Sequence, residues 1–176
     1  MKIYESAKSR AAALKSIKPV RIAVALVGED WRRYVVDPGL LEAVIVSPKP
    51  GSNPFAIEEL GDAIGWDKLY LLEDLHSKLY IGKEAAFLGS PNLSANGFGD
   101  NGNYELGVLL TNEKSIKKLN IIFEYYRKQA NADYPTKQKK TVTSRPLSSR
   151  LAESHREQTD ILRYRSAIRC PEPERL

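Results

Sequence analysis

Two stretches of the chain, Val20 to Val27 and Leu41 to Val46, are apolar almost without interruption. Runs this short and continuous predict strands buried on both faces, as in a parallel sheet covered by helices. Around them the period lengthens. Residues 3–17 are Ala-rich and helix-forming, and the helix they predict stops before Pro19, whose predecessor is turned away from helical geometry. Trp31-Arg-Arg-Tyr34 predicts a short helix or loop whose two arginines are solvated rather than phosphate-facing. Asn53-Pro54 opens a helix, with Asn as N-cap, Pro in the first turn and Glu58 and Glu59 early on. This helix runs to about Ile64 and ends at Gly65. Asp67 to Leu72 predicts a strand leading into a hairpin. Glu113 to Ala130 is amphipathic, with Ile116, Leu119, Ile122, Phe123 and Tyr126 on one face, a stripe that reads as core rather than cofactor pocket.

The hairpin lies between Leu75 and Leu88. In Leu75-His-Ser-Lys-Leu-Tyr-Ile81, alternation puts His76 and Lys78 on one face and Leu75, Ser77, Leu79 and Ile81 on the other. Gly82-Lys83 can turn the chain into Ala85-Ala-Phe-Leu88, which returns Gly89-Ser90 beside His76 and Lys78. A third run, Tyr104 to Leu110, puts Asn103 and Glu105 on one face by the same alternation. Strands and helices interleaved in this way predict an α/β sandwich, a mixed sheet flanked by helices.

At 176 residues, with 42% apolar and 28% charged, the chain suits one globular domain plus an extension. No apolar run approaches the roughly 18 residues of a membrane span, and Met1-Lys-Ile-Tyr-Glu-Ser has no signal-peptide pattern. Cys170 is the single cysteine, which excludes an internal disulfide and fits a cytoplasmic protein. The charge is uneven. Residues 131–176 hold 10 Lys and Arg against 6 Asp and Glu, a net of +4, whereas residues 1–130 hold 17 against 16. The texture changes at the same place: Tyr134 to Pro146 is polar, basic and Pro-bounded, a linker signature, and residues 147–168 carry only a sparse apolar pattern. The expected division is a folded domain over 1–130 and a basic, partly helical linker or tail over 131–176. His155 in that tail reads as a surface histidine. A basic extension suits a polyanionic partner such as nucleic acid, and suits a solvated linker equally well.

The residue types gathered between His76 and Glu105 match the needs of phosphodiester chemistry. An imidazole can attack phosphorus and split one difficult step into two easier ones. The Lys78 ammonium is a compact charge for a phosphate oxygen. The Ser90 hydroxyl and the amides of Asn92 and Asn103 add donors where charge develops. Glu105 can hold the imidazole in one tautomer, as the orienting member of a triad does. The set offers a nucleophile and donors, with no cluster of carboxylates suited to Mg²⁺, so neither metal nor cofactor is expected.

His76-x-Lys78 followed by Gly89-Ser90-x-Asn92, continuing as Leu93-Ser-Ala-Asn-Gly-Phe98, resembles the phospholipase D superfamily. Asn53-Pro-Phe-Ala-Ile57 and the helix after it are similar too, so the resemblance spans about Val20 to Leu110. The family's motif aspartate falls here at Lys83, with Glu84 beside it, and the gap to Gly89 is one residue shorter than usual. The resemblance implies a phospholipase D-like α/β sandwich with one motif per chain. It also implies a phosphodiesterase, a metal-independent nuclease in which His76 forms a phosphohistidine and a second motif histidine protonates the leaving oxygen. A chain with one motif would obtain that second histidine from another copy, in a two-fold homodimer. The expected partners are nucleic acid, DNA ahead of RNA, and a second copy of the chain, with no membrane. The competing readings are a catalytically silent nucleic-acid-binding module and the catalytic fragment of a restriction endonuclease-like system.

Overall fold

In the computed structural model, residues 2–136 and 140 are described. A seven-stranded mixed sheet forms the middle layer, in the order β1-β7-β6-β5-β2-β3-β4. Its strands are β1 (Lys2–Tyr4), β2 (Arg21–Val24), β3 (Ala43–Val46), β4 (Leu69–Leu71), β5 (Lys78–Ile81), β6 (Ala86–Gly89) and β7 (Gly107–Leu110). β2, β3 and β4 are parallel, while β5, β6, β7 and β1 follow one another antiparallel on the other side of β2.

Strand alternation sorts the apolar side chains into two cores. On one face Ile22, Val24, Val44, Val46, Leu69, Leu71, Tyr80 and Phe87 meet α1 (Ala7–Ile17) and α2 (Pro54–Ile64). On the other, Ala23, Ile45, Tyr70, Leu79, Ile81 and Ala86 meet Phe123 and Ala130 of α4 (Glu113–Asp133), with Ile116, Leu119 and Tyr126 packed against them. A sheet covered on both faces explains why β2 and β3 read as continuous apolar runs. Full burial of a Phe side chain such as Phe123 contributes about 1.5–3 kcal/mol, so the α4 stripe alone secures its helix to the sheet.

The expected helix over Asn53–Ile64 is present: the Asn53 Oδ1 accepts from the amides of Phe55 and Ala56, and Gly65 ends it at φ 95°. Other expectations are corrected. The helix expected over 3–17 starts at Ala7, capped by the Ser6 hydroxyl, and Lys2–Tyr4 instead pairs with β7. Without that pairing β7 would be a bare edge, and Ile3 and Tyr4 are good strand residues. The strand β4 precedes the hairpin along the chain, as expected, but is not its neighbour in the sheet. It pairs with β3 at the far edge, and the chain then crosses β3 and β2 to enter β5. The run Tyr104 to Leu106 lies outside the sheet, because β7 begins only at Gly107. The helix α4 passes residue 130 to Asp133, the Tyr134 hydroxyl donates to Glu73, and the Lys140 ammonium donates to the Trp66 and Leu69 carbonyls. The rest of the basic extension, including His155, lies outside the described residues.

Candidate active site

The carboxyl ends of the parallel strands β2 and β3, the start of β5 and the end of β6 all lie at one end of the sheet. This is where ligands sit in open α/β sheets. His76 is exposed just before β5, and Lys78 is the strand's first residue. The Lys78 Nζ lies 3.1 Å from the His76 Nε2 and donates to the His76 carbonyl at 2.8 Å. An ammonium can only donate, so in this contact Nε2 is the acceptor. Partial burial lowers the Lys78 pKa from its ordinary value, and the nearby Glu105 carboxylate opposes that shift.

The β5–β6 hairpin brings the second half of the motif alongside. Leu79 pairs with Leu88, so Gly89 and Ser90 flank Lys78. The Gly82–Ala85 turn, with Lys83 and Glu84, lies at the opposite end of the strands from Lys78. At the site end, Gly89 pairs with Gly107 of β7. A Cβ on Gly89 would sit 2.2 Å from the Leu106 carbonyl oxygen, and one on Gly107 would strike the Phe87 ring at 2.0 Å. The two glycines therefore let the strands close together and draw the Asn103–Leu106 segment over the motif.

Ser90 and Asn92 are engaged by the backbone. The Ser90 Oγ accepts from the Leu106 amide at 3.0 Å, and the Asn92 Oδ1 accepts from the Leu26 amide at 3.0 Å. The Asn92 Nδ2 has no partner among the described residues, so two donors face the cavity there. His76, Lys78 and Ser90 line a groove of about 530 Å³ whose other wall is Leu119, Ile122 and Tyr126 of α4. Asn92, Asn103 and Glu105 line a neighbouring cavity of about 500 Å³. The six sequence-predicted residues thus converge on one end of the sheet, divided between two adjoining hollows. Among the described residues the ring of His76 is bonded to Lys78, and Glu105 reaches the pair through its charge on Lys78 rather than through a hydrogen bond to the imidazole.

Sequence reasoning missed what holds these loops in place. Arg10, in the middle of α1, is only 2% exposed. Its guanidinium donates to the Gly97 carbonyl at 3.2 Å, to the Glu105 carbonyl at 2.9 Å and to the Glu5 carbonyl. It ties the loop after Asn92 to the segment bearing Asn103 and Glu105. Asp30 Oδ1 accepts from the Ala95 amide at 3.0 Å, while Oδ2 is buried with no hydrogen-bond partner among the described residues. Burial first and the Asp30 carboxylate second raise the pKa of the adjacent Tyr34. The Tyr80 hydroxyl, fully buried, donates to the Pro91 carbonyl at 2.9 Å. A signal for Arg10 did exist, since an arginine amid Ala11, Ala12, Ala13 and Leu14 interrupts an otherwise apolar helix face. Asp30 had none. Of the two neighbouring arginines, Arg32 pairs with Glu59 and stacks on Trp31, and Arg33 lines the cavity of Asn92 and Glu105. Among the described residues no three His, Cys, Asp or Glu side chains group as metal ligands.

Two solved structures share this arrangement of strands and helices. NucT from Helicobacter pylori superposes with a TM-score of 0.55 at 20% identity, covering 73% of this chain and 95% of that one. The phospholipase D family member Nuc from Salmonella typhimurium superposes with a TM-score of 0.55 at 16% identity, covering 73% of this chain and 93% of that one. The chain has the phospholipase D-like fold. No family model and no curated protein sequence matches it. At these identities the likeness concerns the fold alone.

Proposed function

We propose that this protein is a phosphodiesterase, a metal-independent nuclease that cuts nucleic acid through a phosphohistidine at His76. The observation that carries the reading is the His76–Lys78 contact of 3.1 Å in a groove that Ser90 also lines, with Asn92 in the second hollow at the same end of the sheet. In the proposed reaction the Lys78 ammonium leaves Nε2 for a non-bridging phosphoryl oxygen. The freed lone pair attacks phosphorus, the N–P bond forms and the P–O bond to the leaving oxygen breaks. His76 of a second copy gives that oxygen its proton, then takes one from water as the water attacks phosphorus and breaks the N–P bond. Glu105 carries the charge that favours the cationic states of the site.

A two-fold homodimer is part of the proposal, because one chain offers one motif histidine. Tyr104 and Leu106, on the rim of the site, are 108% and 53% exposed, an apolar surface that a second copy would cover. Among the described residues no helix is long and apolar enough to cross a membrane. The proposed substrate is a nucleic acid, DNA ahead of RNA, and the proposed place of action is the cytoplasm.

The test is a cleavage panel of single- and double-stranded DNA, RNA and a small aryl phosphodiester, run in EDTA with wild type and His76→Ala. The expected result is chelator-resistant cleavage of at least one nucleic acid, abolished in His76→Ala, with a phosphorylated protein trapped on denaturation at alkaline pH, where an N–P bond survives. Cleavage that EDTA abolishes and Mg²⁺ restores, or a fully active His76→Ala, overturns the reading.

A further inference from the structure

Three hollows run end to end along one side of the molecule. The cavity of Asn92 and Glu105 shares Arg33 with a second groove, lined by Lys8, Ala11, Ala12, Lys15 and Asp100. That groove shares Lys15 and Tyr34 with a third hollow, which reaches Lys18. Lys8 and Lys15 stand seven residues apart on α1, two turns and about 10.5 Å along the same face. The residues between them on that face are alanines, so nothing bulky stands between the two ammonium groups. Phe98 and Tyr34, buried and 5.4 Å apart, form a firm floor.

The charge along this path is local. Residues 1–130 carry a net of only +1, yet Arg33, Lys8, Lys15 and Lys18 follow one another here and none forms an ion pair with a described residue. Asp100 and Asp37 are the carboxylates of the two outer hollows, and Asp37 is occupied with the Gly39 amide. The site cavity itself is acidic, with Glu29, Asp30 and Glu105 in its wall.

We propose that Arg33 and the Lys8–Lys15 face of α1 form a track for the sugar-phosphate backbone of one nucleic-acid strand, leading away from the cleavage site. This rests on the nuclease reading and adds to it where the uncut part of the strand lies. The track binds by charge alone, so it is indifferent to sequence. Each phosphate it neutralises adds about 0.7 to 0.9 to the slope of log affinity against log salt.

Binding of a fluorescent 15-nucleotide single strand and of a duplex of the same length is measured by anisotropy from 50 to 300 mM salt, all in the His76→Ala background so that nothing is cut. Lys8→Gln/Lys15→Gln should make the slope shallower by about 1.5 and weaken binding at low salt by tenfold or more. Arg33→Gln should act in the same direction. Lys114→Gln/Lys118→Gln, exposed on α4 across the sheet, removes the same charge and should leave the slope unchanged. Thermal melting confirms that each variant is folded. If the oligonucleotides bind and the α1 and α4 variants behave alike, the track is refuted while the nuclease reading stands. If wild type cuts no nucleic acid but the α1 variants alone flatten the slope, the catalytic reading fails and the track stands. If the His76→Ala protein binds neither oligonucleotide, both fall.

Discussion

Arg10 supports the sharpest prediction, because its burial and its partners are both known. Replacing it with Met keeps an apolar stem in α1 and removes the guanidinium. Three carbonyls then lose a charged donor: Gly97, Glu105 and Glu5. A hydrogen bond to a charged group contributes about 1.5–3 kcal/mol net, and a buried acceptor left without a partner costs about 1–3 kcal/mol. The bond to Gly97 is buried, whereas those to Glu5 and Glu105 are only partly so, and water can replace them at little cost. The sum is about 2–4 kcal/mol, dominated by the Gly97 contact. For a domain of this size each kcal/mol moves Tm by roughly 3 °C, so Arg10→Met should melt roughly 6–12 °C lower. The chemical effect is separate. Arg10 fixes the Asn92–Gly97 loop relative to Glu105, and a misplacement of about 1 Å in such groups costs on the order of 10²-fold in rate. Single-turnover cleavage by folded Arg10→Met, well below its Tm, should therefore fall by that order, with substrate affinity little changed. Arg10→Lys, which can still satisfy one carbonyl, should lie between the two. A Tm within about 1 °C of wild type, or full turnover in the folded variant, refutes the argument.

Three further outcomes are expected. Burial holds the Lys78 pKa below that of an ordinary lysine, so the alkaline limb of kcat/KM should fall below the usual lysine range and move upward in Lys78→Arg. The linkage has the opposite sign: between the lowered folded value and the unfolded one, the unfolded chain binds the extra proton, so this group's contribution to stability improves as pH rises while activity is lost. An unchanged alkaline limb in Lys78→Arg would assign it to another group. Mixing wild type with excess His76→Ala under demonstrated subunit exchange should depress activity below the wild-type fraction, since a mixed pair lacks either nucleophile or general acid; linear dependence on that fraction would exclude a shared site. A stop codon after residue 130 should lower Tm by roughly 6 °C or more, because the Lys140 ammonium loses two carbonyl contacts and Tyr134 loses Glu73. A stop after residue 140 should not, and equal melting of the two would show that these contacts contribute nothing.

The hydrophobic pattern alone determined much of this molecule. Continuous runs at β2 and β3 already demanded a sheet covered on both faces, and Asn53-Pro54 and Gly65 bounded α2 through capping chemistry that is local in sequence. The hairpin that brings Gly89 and Ser90 to His76 and Lys78 was legible for the same reason, since period-two alternation and a short turn involve only neighbours along the chain. What the sequence could not settle depended on which distant segments meet. Lys2–Tyr4 reads as the start of a helix until the open edge of β7, over a hundred residues away, offers it a ladder of hydrogen bonds. The strand β4 could be ordered only by the crossover that puts it at the far edge. Ser90 and Asn92 look like free donors in the motif, yet each gives its side-chain oxygen to a remote backbone amide. Arg10 and Asp30 reach the site loops through carbonyls and amides 65 to 95 positions away. Local physics selected the elements and the residue types of the motif; tertiary packing decided which of their polar groups the backbone engages.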